Sequence, residues 1–308
     1  MDMGLMTKSL HHHTTVALTY FEALRQQLLR EQRRVFSSWY AQQQWAIATT
    51  SLPSDARRWK SAPDAVRTGK LLARFAREGR IVATDHSPSV FVLQDASLSS
   101  IEPTAHELLN TIHPNAVLSY ESAFRAHQLT LRFTHQIHCS WDASGIFQAP
   151  DNPQSIDLSP PRQRPSTLNE QPISWHKENP ARLAFSERLD VDGVWMLVAT
   201  IERTLVDGLA RPQWCGGPAE VFQAWNEAID IIDPSAVEAY TQLIDSKVLY
   251  QRVGFVLETL GHQSPLLDQW AQHASPGGSA ILVPSLPWSD KRDERWKLGI
   301  NFEHGLQP

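Results

Sequence analysis

The spacing of apolar residues divides the first hundred positions into three helices and a short hairpin. Residues 15 to 37 and 39 to 47 repeat apolar side chains at helical intervals. The segment DAVRTGKLLARFAREG predicts a third helix, which Ser61 is expected to cap, with Pro63 in its first turn and Gly79 at its end. The patterns RIVAT and SVFVLQ, separated by a polar turn, then predict two paired strands.

The third predicted helix separates an apolar face from a basic face. At about 100° per residue, Leu71, Leu72 and Phe75 fall on one side. The basic residues fall within a narrow arc on another side: Arg67, Lys70, Arg74 and Arg77. Such a helix followed by a hairpin is the order of a winged helix-turn-helix, in which the last helix enters the DNA major groove.

This arrangement predicts which residues contact DNA. Those expected at base edges are Arg67, Thr68 and Lys70. Those expected at phosphates are Arg74, Arg77, Arg80 and the wing residues His86 and Ser87, with Arg57, Arg58 and Lys60 just ahead of the helix. The alternative is an amphipathic surface helix whose arginines are simply solvated.

The distribution of charge favours the DNA-binding interpretation. The chain has 28 basic and 33 acidic residues, and residues 1 to 94 hold 13 of the basic and 7 of the acidic ones. That segment therefore carries a net charge of +6, and the remainder carries −11. A basic segment joined to an acidic one is typical of a polyanion-binding module beside a module that does not bind polyanions. Chance clustering of solvated charge is the alternative.

Length and composition set the domain organisation. A chain of 308 residues exceeds what one core usually organises, so we expect two domains, residues 1–95 and 96–308. The fold class predicted is α+β, a winged helix-turn-helix followed by a larger mixed α/β domain. Residues 142 to 180 are rich in Pro, Ser, Asn and Gln and predict a long surface loop.

Targeting signals are not recognisable in the sequence. No apolar run approaches the roughly 20 residues of a membrane-spanning helix, and the amino terminus lacks the apolar core of a signal peptide. We therefore expect a cytoplasmic protein with no membrane association. Cys139 and Cys215 are too few and too far apart to suggest a disulfide framework or a zinc ribbon.

The most informative stretch covers residues 194 to 261. It reads as a buried strand, a helix bearing Glu202, Arg203 and Asp207, a Gly216-Gly217 turn, and an amphipathic helix bearing Arg252. An Arg four residues before an Asp is the weaker orientation for a helical ion pair.

Two roles are open for these charged residues. Arg252 lies off its helix's apolar stripe, within reach of Asp207 or Glu202, so the set suggests either an ion-pair network between two helices or, less favoured, a partner-binding site. Gly216-Gly217 is interpreted as a helix-entry turn, because no Lys-Ser/Thr follows it as in a phosphate-binding loop.

Enzymatic signals are weak. His135, His138 and Cys139 form an HxxHC cluster, but on a strand His138 would face away from the other two. The Asp190-Val-Asp192 pair has no lysine behind it at the spacing of a two-metal nuclease. With no nucleophile elbow, P-loop or dinucleotide fingerprint, we expect no enzyme activity, cofactor or metal.

Three segments together resemble AbiEi-type antitoxins. They are VWMLVATIERTLVDGLARPQWCGGPAEVFQAW with SKVLYQRVGFVLETLG, the earlier AVLSYESAFRAHQL, and the closing WKLGINFE. The resemblance implies an AbiEi-like antitoxin domain, in which Glu202, Arg203, Asp207, Gly216, Gly217 and Arg252 carry the family's motif. It also implies a winged-helix repressor that binds inverted repeats in the promoter of its own operon.

The same resemblance implies the partners. They are double-stranded DNA and a nucleotidyltransferase-like toxin of a type IV toxin-antitoxin system in phage defence by abortive infection. A stable complex with the toxin is not required, and two half-sites suit a dimer on DNA. The alternatives are a metal-dependent nuclease or other nucleic-acid enzyme of phage defence, and a plain transcriptional regulator without a toxin.

Overall fold

The chain folds as a mixed α+β protein of two compact units. The structure is a computed structural model that describes residues 17–85, 87–98, 102–133, 136–147, 164–274 and 280–307. The described residues up to Pro103 form the N-terminal unit, and those from Thr104 onward form the C-terminal unit. The expected α+β class is confirmed. No helix in the described ranges combines the length and the apolar character needed to cross a membrane.

The N-terminal unit has the element order of a winged helix-turn-helix. Its elements are α1 (Tyr20–Arg30), β1 (Val35–Ser37), α2 (Ser38–Ser51), a 3-10 turn (Ser54–Ala56), α3 (Ala65–Arg77), β2 (Ile81–Thr84) and β3 (Ser87–Leu93). The three strands form an antiparallel sheet in the order β1-β3-β2. Strands β2 and β3 form the hairpin that the sequence predicts after α3.

A hydrophobic core holds the three helices to this sheet. α2 contacts α1, α3, β1 and β3. The core residues are Phe21, Leu24, Leu28, Phe36, Tyr40, Ala41, Trp45, Leu72, Phe75, Ile81, Phe91 and Leu93. Trp45 also donates its ring N–H to the Tyr20 carbonyl at 2.8 Å, which satisfies its one polar group inside the core.

Helix α1 is shorter than the sequence predicts. Helix α1 ends at Arg30, and residues 35–37 form strand β1, paired with Val90, Phe91 and Val92 of β3. All three β1 residues are buried. A strand that is buried on both faces does not alternate apolar and polar residues. The sequence of β1 therefore gives no strand signal, and its apolar residues happen to continue the helical spacing of α1.

The start of α3 differs from the prediction by one turn. Asp64, not Ser61, is the N-cap, and its Oδ1 accepts the Arg67 N–H at 2.7 Å. A carboxylate at this position also interacts favourably with the helix dipole. The end is as predicted, because Gly79 follows the helix at φ +68°, which a residue without Cβ adopts readily.

The C-terminal unit combines a mixed sheet with a helical layer. Its strands are β4 (Val117–Leu118), β5 (Ile137–Asp142), β6 (Thr167–Leu168), β7 (Gln171–Glu178), β8 (Ser186–Val191), β9 (Val194–Ala199), β10 (Arg292–Asp293) and β11 (Leu298–Gly299). Its helices are α4 (Ala105–Ile112), α5 (Glu121–Ala126), α6 (Pro180–Leu183), α7 (Ile201–Ala210), α8 (Pro218–Ala228), α9 (Pro234–Ile244), α10 (Lys247–Thr259) and α11 (Pro265–Gln272).

The six-stranded sheet has the order β6-β7-β5-β4-β9-β8. The β5/β7 and β4/β9 pairs are parallel, and the other pairs are antiparallel. Helix α7 contacts α5, α8, α9 and α10, so it lies at the centre of the helical layer. The chain end packs on the same layer: Trp296 is fully buried, and its ring occupies the space above Gly254 where a Cβ would stand.

The predicted loop at residues 142 to 180 is corrected in part. Residues 148–163 lie outside the described part of the chain, but β6 and β7 occupy 167–178. Ile173 pairs with Ile137 of β5 and is buried, and Leu168 is also buried. A few apolar residues at the right register suffice for a strand beside a well-formed neighbour, although the local composition is that of a loop.

Candidate functional site

The basic face of α3 is exposed. Leu72 and Phe75 are buried against the core, whereas the four basic residues are exposed: Arg67, Lys70, Arg74 and Arg77. Lys70 and Arg77 form no ion pair with any residue that the structure describes. A helix with one packed face and several unneutralised cations on the other presents positive charge to solvent.

Thr68 does not belong to this face. Its side chain is 2% exposed and lies on the buried side of α3 with Leu72, four residues later. Its hydroxyl oxygen has no hydrogen-bond partner among the described residues. The prediction that Thr68 reaches a base edge was wrong, because position along the helix, not polarity, decides which face a residue occupies.

Glu78 pairs with two of the arginines that are predicted to contact phosphate. Its carboxylate accepts a hydrogen bond from Arg74 Nε at 2.8 Å and forms an ion pair with Arg80, whose Nε lies 3.0 Å away. The hydrogen bond from Arg74 lowers the pKa of Glu78, so the acid remains ionised. Arg80 also lies 4.7 Å from the Phe21 ring centroid. Sequence reasoning did not single out Glu78, although its four-residue spacing from Arg74 is visible in the sequence.

Arg57, ahead of α3, has a structural role. It donates to the carbonyls of Leu52, Trp59 and Lys60 and is half-buried, and its contact with the DNA backbone stays a prediction. Trp59 is buried and stacks on Tyr20, with 4.7 Å between ring centroids. Arg57 therefore stabilises the loop that leads into α3.

Arg58 and Lys60 remain exposed beside this loop. Arg58 Nε donates to the Ala17 carbonyl at 3.0 Å. In the wing, His86 lies outside the described residues. Ser87 is described through its backbone, which pairs with Thr84 of β2.

Two further residues of α3 complete the exposed face. Val66 is 68% exposed in the first turn, although an apolar side chain there contributes nothing to the core. Gly69 has open space where a Cβ would stand, although glycine inside a helix costs about 0.5–1 kcal/mol relative to alanine. Packing against the described residues accounts for neither residue.

The charged residues of the C-terminal motif form a buried network. Asp207 is 2% exposed and accepts from Arg203 Nε at 3.3 Å, from Arg182 Nη2 at 3.1 Å and from the Tyr240 hydroxyl at 2.9 Å. Arg182 also binds Glu178 at 2.8 Å. The network links β7, α6, α7 and α9, so the ion-pair interpretation is correct in kind but includes partners that the sequence did not indicate.

The hydrogen-bond partners of Arg252 differ from the predicted ones. Its Nε donates to the Ile281 carbonyl at 2.9 Å and its Nη1 to the Leu209 carbonyl at 3.4 Å, and neither Asp207 nor Glu202 pairs with it. Glu202 instead accepts the Asp233 backbone N–H at 3.2 Å. Burial, and after it the positive charge of Arg211, lower the pKa of Arg252 to about 10, so the side chain stays charged at neutral pH.

Gly216 and Gly217 form the helix-entry turn that the sequence predicts. Their φ angles are +82° and +104°, and α8 begins immediately afterwards at Pro218. The Gly216 carbonyl accepts from Arg132 Nη1 at 2.7 Å. The pair therefore has a conformational role, because both residues adopt backbone angles that favour glycine.

The HxxHC cluster contains no assembled ligand set among the described residues. His135 lies outside them, and Cys139 is buried, where desolvation raises the pKa of its thiol. His138 Nδ1 lies 3.0 Å from His176 Nε2, with the two rings stacked 5.3 Å apart. Within the described residues, no three His, Cys, Asp or Glu side chains converge as a metal site.

Comparison with known proteins supports the fold alone. No family model matches the sequence, and no curated protein matches it. Among solved structures, the chain is similar to the RV2827C protein from Mycobacterium tuberculosis, with a TM-score of 0.50 and 12% identity over 91% of this chain and 90% of that one. At this identity the likeness concerns the arrangement of elements.

Proposed function

We propose that this protein is a DNA-binding transcriptional autorepressor and the antitoxin of a type IV, AbiE-like toxin-antitoxin system in the cytoplasm. The observation that carries the DNA-binding part is the exposed basic face of α3 beside the hairpin of β2 and β3. Among winged helix-turn-helix proteins the corresponding helix enters the major groove. The net charge of +6 over residues 1 to 94 supports the same interpretation.

The first two turns of α3 supply the groups suited to bases. Arg67 and Lys70 are exposed donors, and an arginine that donates two hydrogen bonds to guanine is the commonest specific contact in the major groove. Val66 is exposed beside them, where an apolar side chain suits a thymine methyl group. The open space at Gly69 lets the helix approach the groove closely.

The later part of α3 supplies phosphate contacts. Arg77 is exposed and makes no ion pair with a described residue, so it meets phosphate without losing a partner. Arg74 and Arg80 must first exchange Glu78 for phosphate. Glu78 therefore weakens non-specific binding, because its carboxylate competes with every phosphate for the same two guanidiniums.

The antitoxin part rests on the sequence resemblance. The resemblance covers the motif around Arg203 and Asp207, the Gly216-Gly217 turn and the closing segment from Trp296. The partner is a nucleotidyltransferase-like toxin, and neutralisation does not require a stable complex. Because operators with inverted repeats present two half-sites, two copies bind one operator.

A mobility-shift assay with DNA from upstream of the protein's own gene tests the DNA-binding part. The variant Arg67→Ala/Lys70→Ala is expected to lose operator binding and keep the wild-type Tm, because both side chains are exposed. The control Arg30→Ala/Lys291→Ala removes the same charge elsewhere and is expected to bind normally. Equal affinity of the wild type and the α3 variant would contradict the proposal. DNA recovered intact in the presence of Mg²⁺ is expected throughout, and cleavage would favour a nuclease.

Co-expression with the product of the adjacent gene tests the antitoxin part. The same α3 variant is expected to lose repression of a promoter reporter and to protect cells from the toxin as well as the wild type. A variant that fails to protect at equal expression would show that neutralisation depends on DNA binding. An adjacent gene that encodes no nucleotidyltransferase would count against the antitoxin role.

A further inference from the structure

The C-terminal unit contains a polar cavity that the proposed function does not use. Its volume is about 790 Å³, within the range of pockets that hold small molecules. The lining residues come from β7, α6, α7, α9, α10 and the segment between α7 and α8. Its charged side chains fall into two groups that differ in how they are neutralised.

The first group is balanced. Asp207 and Glu178 line the cavity, and their carboxylates are paired with Arg182, while Asp207 is also paired with Arg203. Two acids thus face two arginines at 2.8–3.3 Å. This side of the cavity offers no excess charge to a ligand.

The second group is positive and has no acid. Arg252 lines the cavity, is 8% exposed, and forms no ion pair with any residue in the described ranges. Its two hydrogen bonds use Nε and Nη1, and Nη2 donates to no described residue. Arg211 and Lys177 also line the cavity, are exposed, and have no acidic partner in the described part of the chain.

Burying an arginine beside another cation opposes folding. Desolvation and the charge of Arg211 both destabilise the charged form of Arg252, which lowers its pKa. A buried charge is normally paired, and carbonyl dipoles alone compensate it only in part. An anion bound in the cavity would compensate both the desolvation of Arg252 and its repulsion by Arg211.

The start of α10 adds to the positive potential. Ser246 is its N-cap and makes no capping hydrogen bond through its side chain, and both Ser246 and Leu249 line the cavity. The amino-terminal end of a 13-residue helix carries partial positive charge and free backbone N–H groups. These donors, with two guanidiniums, suit a tetrahedral anion that has several acceptor oxygens.

The remaining wall suits an organic group. The Trp214 ring packs against Tyr120 at 4.8 Å and His176 at 4.5 Å between centroids. Leu249 and Ile244 also line the cavity. A cavity of this volume has space for much more than inorganic phosphate.

We propose that this cavity binds a small phosphorylated molecule, with its phosphate held by Arg252, Arg211 and the start of α10, and its organic part against Trp214 and Leu249. The site is independent of DNA binding by α3. Its ligand class is a phosphate monoester that carries an apolar or aromatic group.

Isothermal titration of the full-length protein at low ionic strength tests the proposal, with phenyl phosphate, inorganic phosphate and benzoate as probes. Phenyl phosphate is expected to bind more tightly than inorganic phosphate, and benzoate at least tenfold more weakly than phenyl phosphate. Absence of phenyl phosphate binding at millimolar concentration would overturn the proposal. Equal binding of benzoate and phenyl phosphate would overturn the assignment to phosphate.

Matched variants locate the binding. Arg211→Gln is expected to weaken phenyl phosphate binding at least tenfold and to keep or slightly raise the Tm, because the side chain is exposed and its charge opposes that of Arg252. Arg252→Gln is expected to abolish binding, and Arg211→Gln keeps the test decisive if Arg252→Gln does not fold. The control Lys291→Gln and the α3 variant Arg67→Ala/Lys70→Ala are expected to bind as the wild type does. Loss of binding only in the α3 variant would place the phosphate on α3 and contradict the cavity site.

Discussion

Arginine residues are used in opposite ways in the two units. In the N-terminal unit the basic residues of α3 lie on the surface, and Arg74 pairs there with Glu78, which also pairs with Arg80 just after the helix. In the C-terminal unit Arg203 is fully buried and Arg182 is half-buried, and both are bound to Asp207. Surface cations cost little and remain available to a polyanion, whereas a cation buried without an acid carries a large desolvation cost.

The comparison shows why net charge alone does not locate a binding surface. The remainder of the chain beyond residue 94 is acidic overall, yet its cavity contains Arg252, which pairs with no acid in the described part of the chain. The proposed role of the basic segment depends on exposure, and the positive potential of the cavity depends on an arginine that has no acid beside it among the described residues. Both features depend on placement in the fold.

The largest effect is expected from Asp207→Asn. It leaves Arg203 buried without a full counter-charge, so the C-terminal unit should lose about 3–5 kcal/mol of unfolding free energy. Urea denaturation followed by circular dichroism measures this loss. Asp268→Asn breaks an exposed pair with Arg295 and should cost at most about 1 kcal/mol. Equal losses in the two variants would show that the buried network is no more important than a surface pair.

A smaller effect is expected from pH at His176. Burial, and after it the nearby His138, lower the pKa of His176 to about 4 in the folded chain. The unfolded chain takes up the proton at about pH 6.5, so this contribution is complete above that pH and is lost as pH falls toward 4. The Tm at pH 5 should therefore lie below that at pH 7, and His176→Phe should reduce the difference. The same difference in both proteins would exclude His176 as its source.

Releasing the arginines held by Glu78 should increase DNA affinity. In Glu78→Gln the carboxylate no longer competes with phosphate for Arg74 and Arg80, so operator affinity should rise several-fold in a mobility-shift assay. Glu22→Gln makes the same change at an exposed position on α1 and should have little effect. Weaker binding by Glu78→Gln would mean that Glu78 orients the two arginines for DNA.

The smallest effect is expected from Gly69→Ala. The added methyl group meets nothing within 4 Å, so the variant should gain about 0.5–1 kcal/mol in unfolding free energy. If α3 approaches DNA closely at this point, Gly69→Leu should weaken operator binding without lowering the Tm. Unchanged operator affinity of Gly69→Leu would show that this edge of α3 does not face the groove.

The sequence predicts α3 and the wing well because their periodicity reports burial directly. Leu72 and Phe75 recur at helical spacing, and the side chains between them fall on the opposite face. Thr68 was assigned to the base edges because it lies near the start of the helix with Arg67 and Lys70, although its position four residues before Leu72 places it on the buried face. Strand β1 was missed because all three of its residues are buried, which removes the alternating pattern.

The C-terminal site was less predictable because its contacts are long-range. Arg182 meets Asp207 from 25 positions away, and Arg252 reaches the carbonyl of Ile281, 29 positions away. Sequence separations of this size leave no local pattern from which the contacts could be predicted. Strand β7 lies in a segment with the composition of a loop, and it forms because β5 offers a parallel partner. The helix-entry turn at Gly216-Gly217 was predictable because it depends only on adjacent residues.

The salt dependence of operator binding tests the central claim most directly. Anisotropy of labelled operator DNA, measured with the full-length protein over a range of salt concentrations, gives the slope of log affinity against log salt. Arg77→Ala should reduce the size of that slope by about 0.9 for each phosphate that the variant no longer neutralises, and Arg30→Ala should leave the slope unchanged. Identical slopes for the wild type and Arg77→Ala, or binding that does not depend on salt, would contradict the claim that α3 holds the duplex.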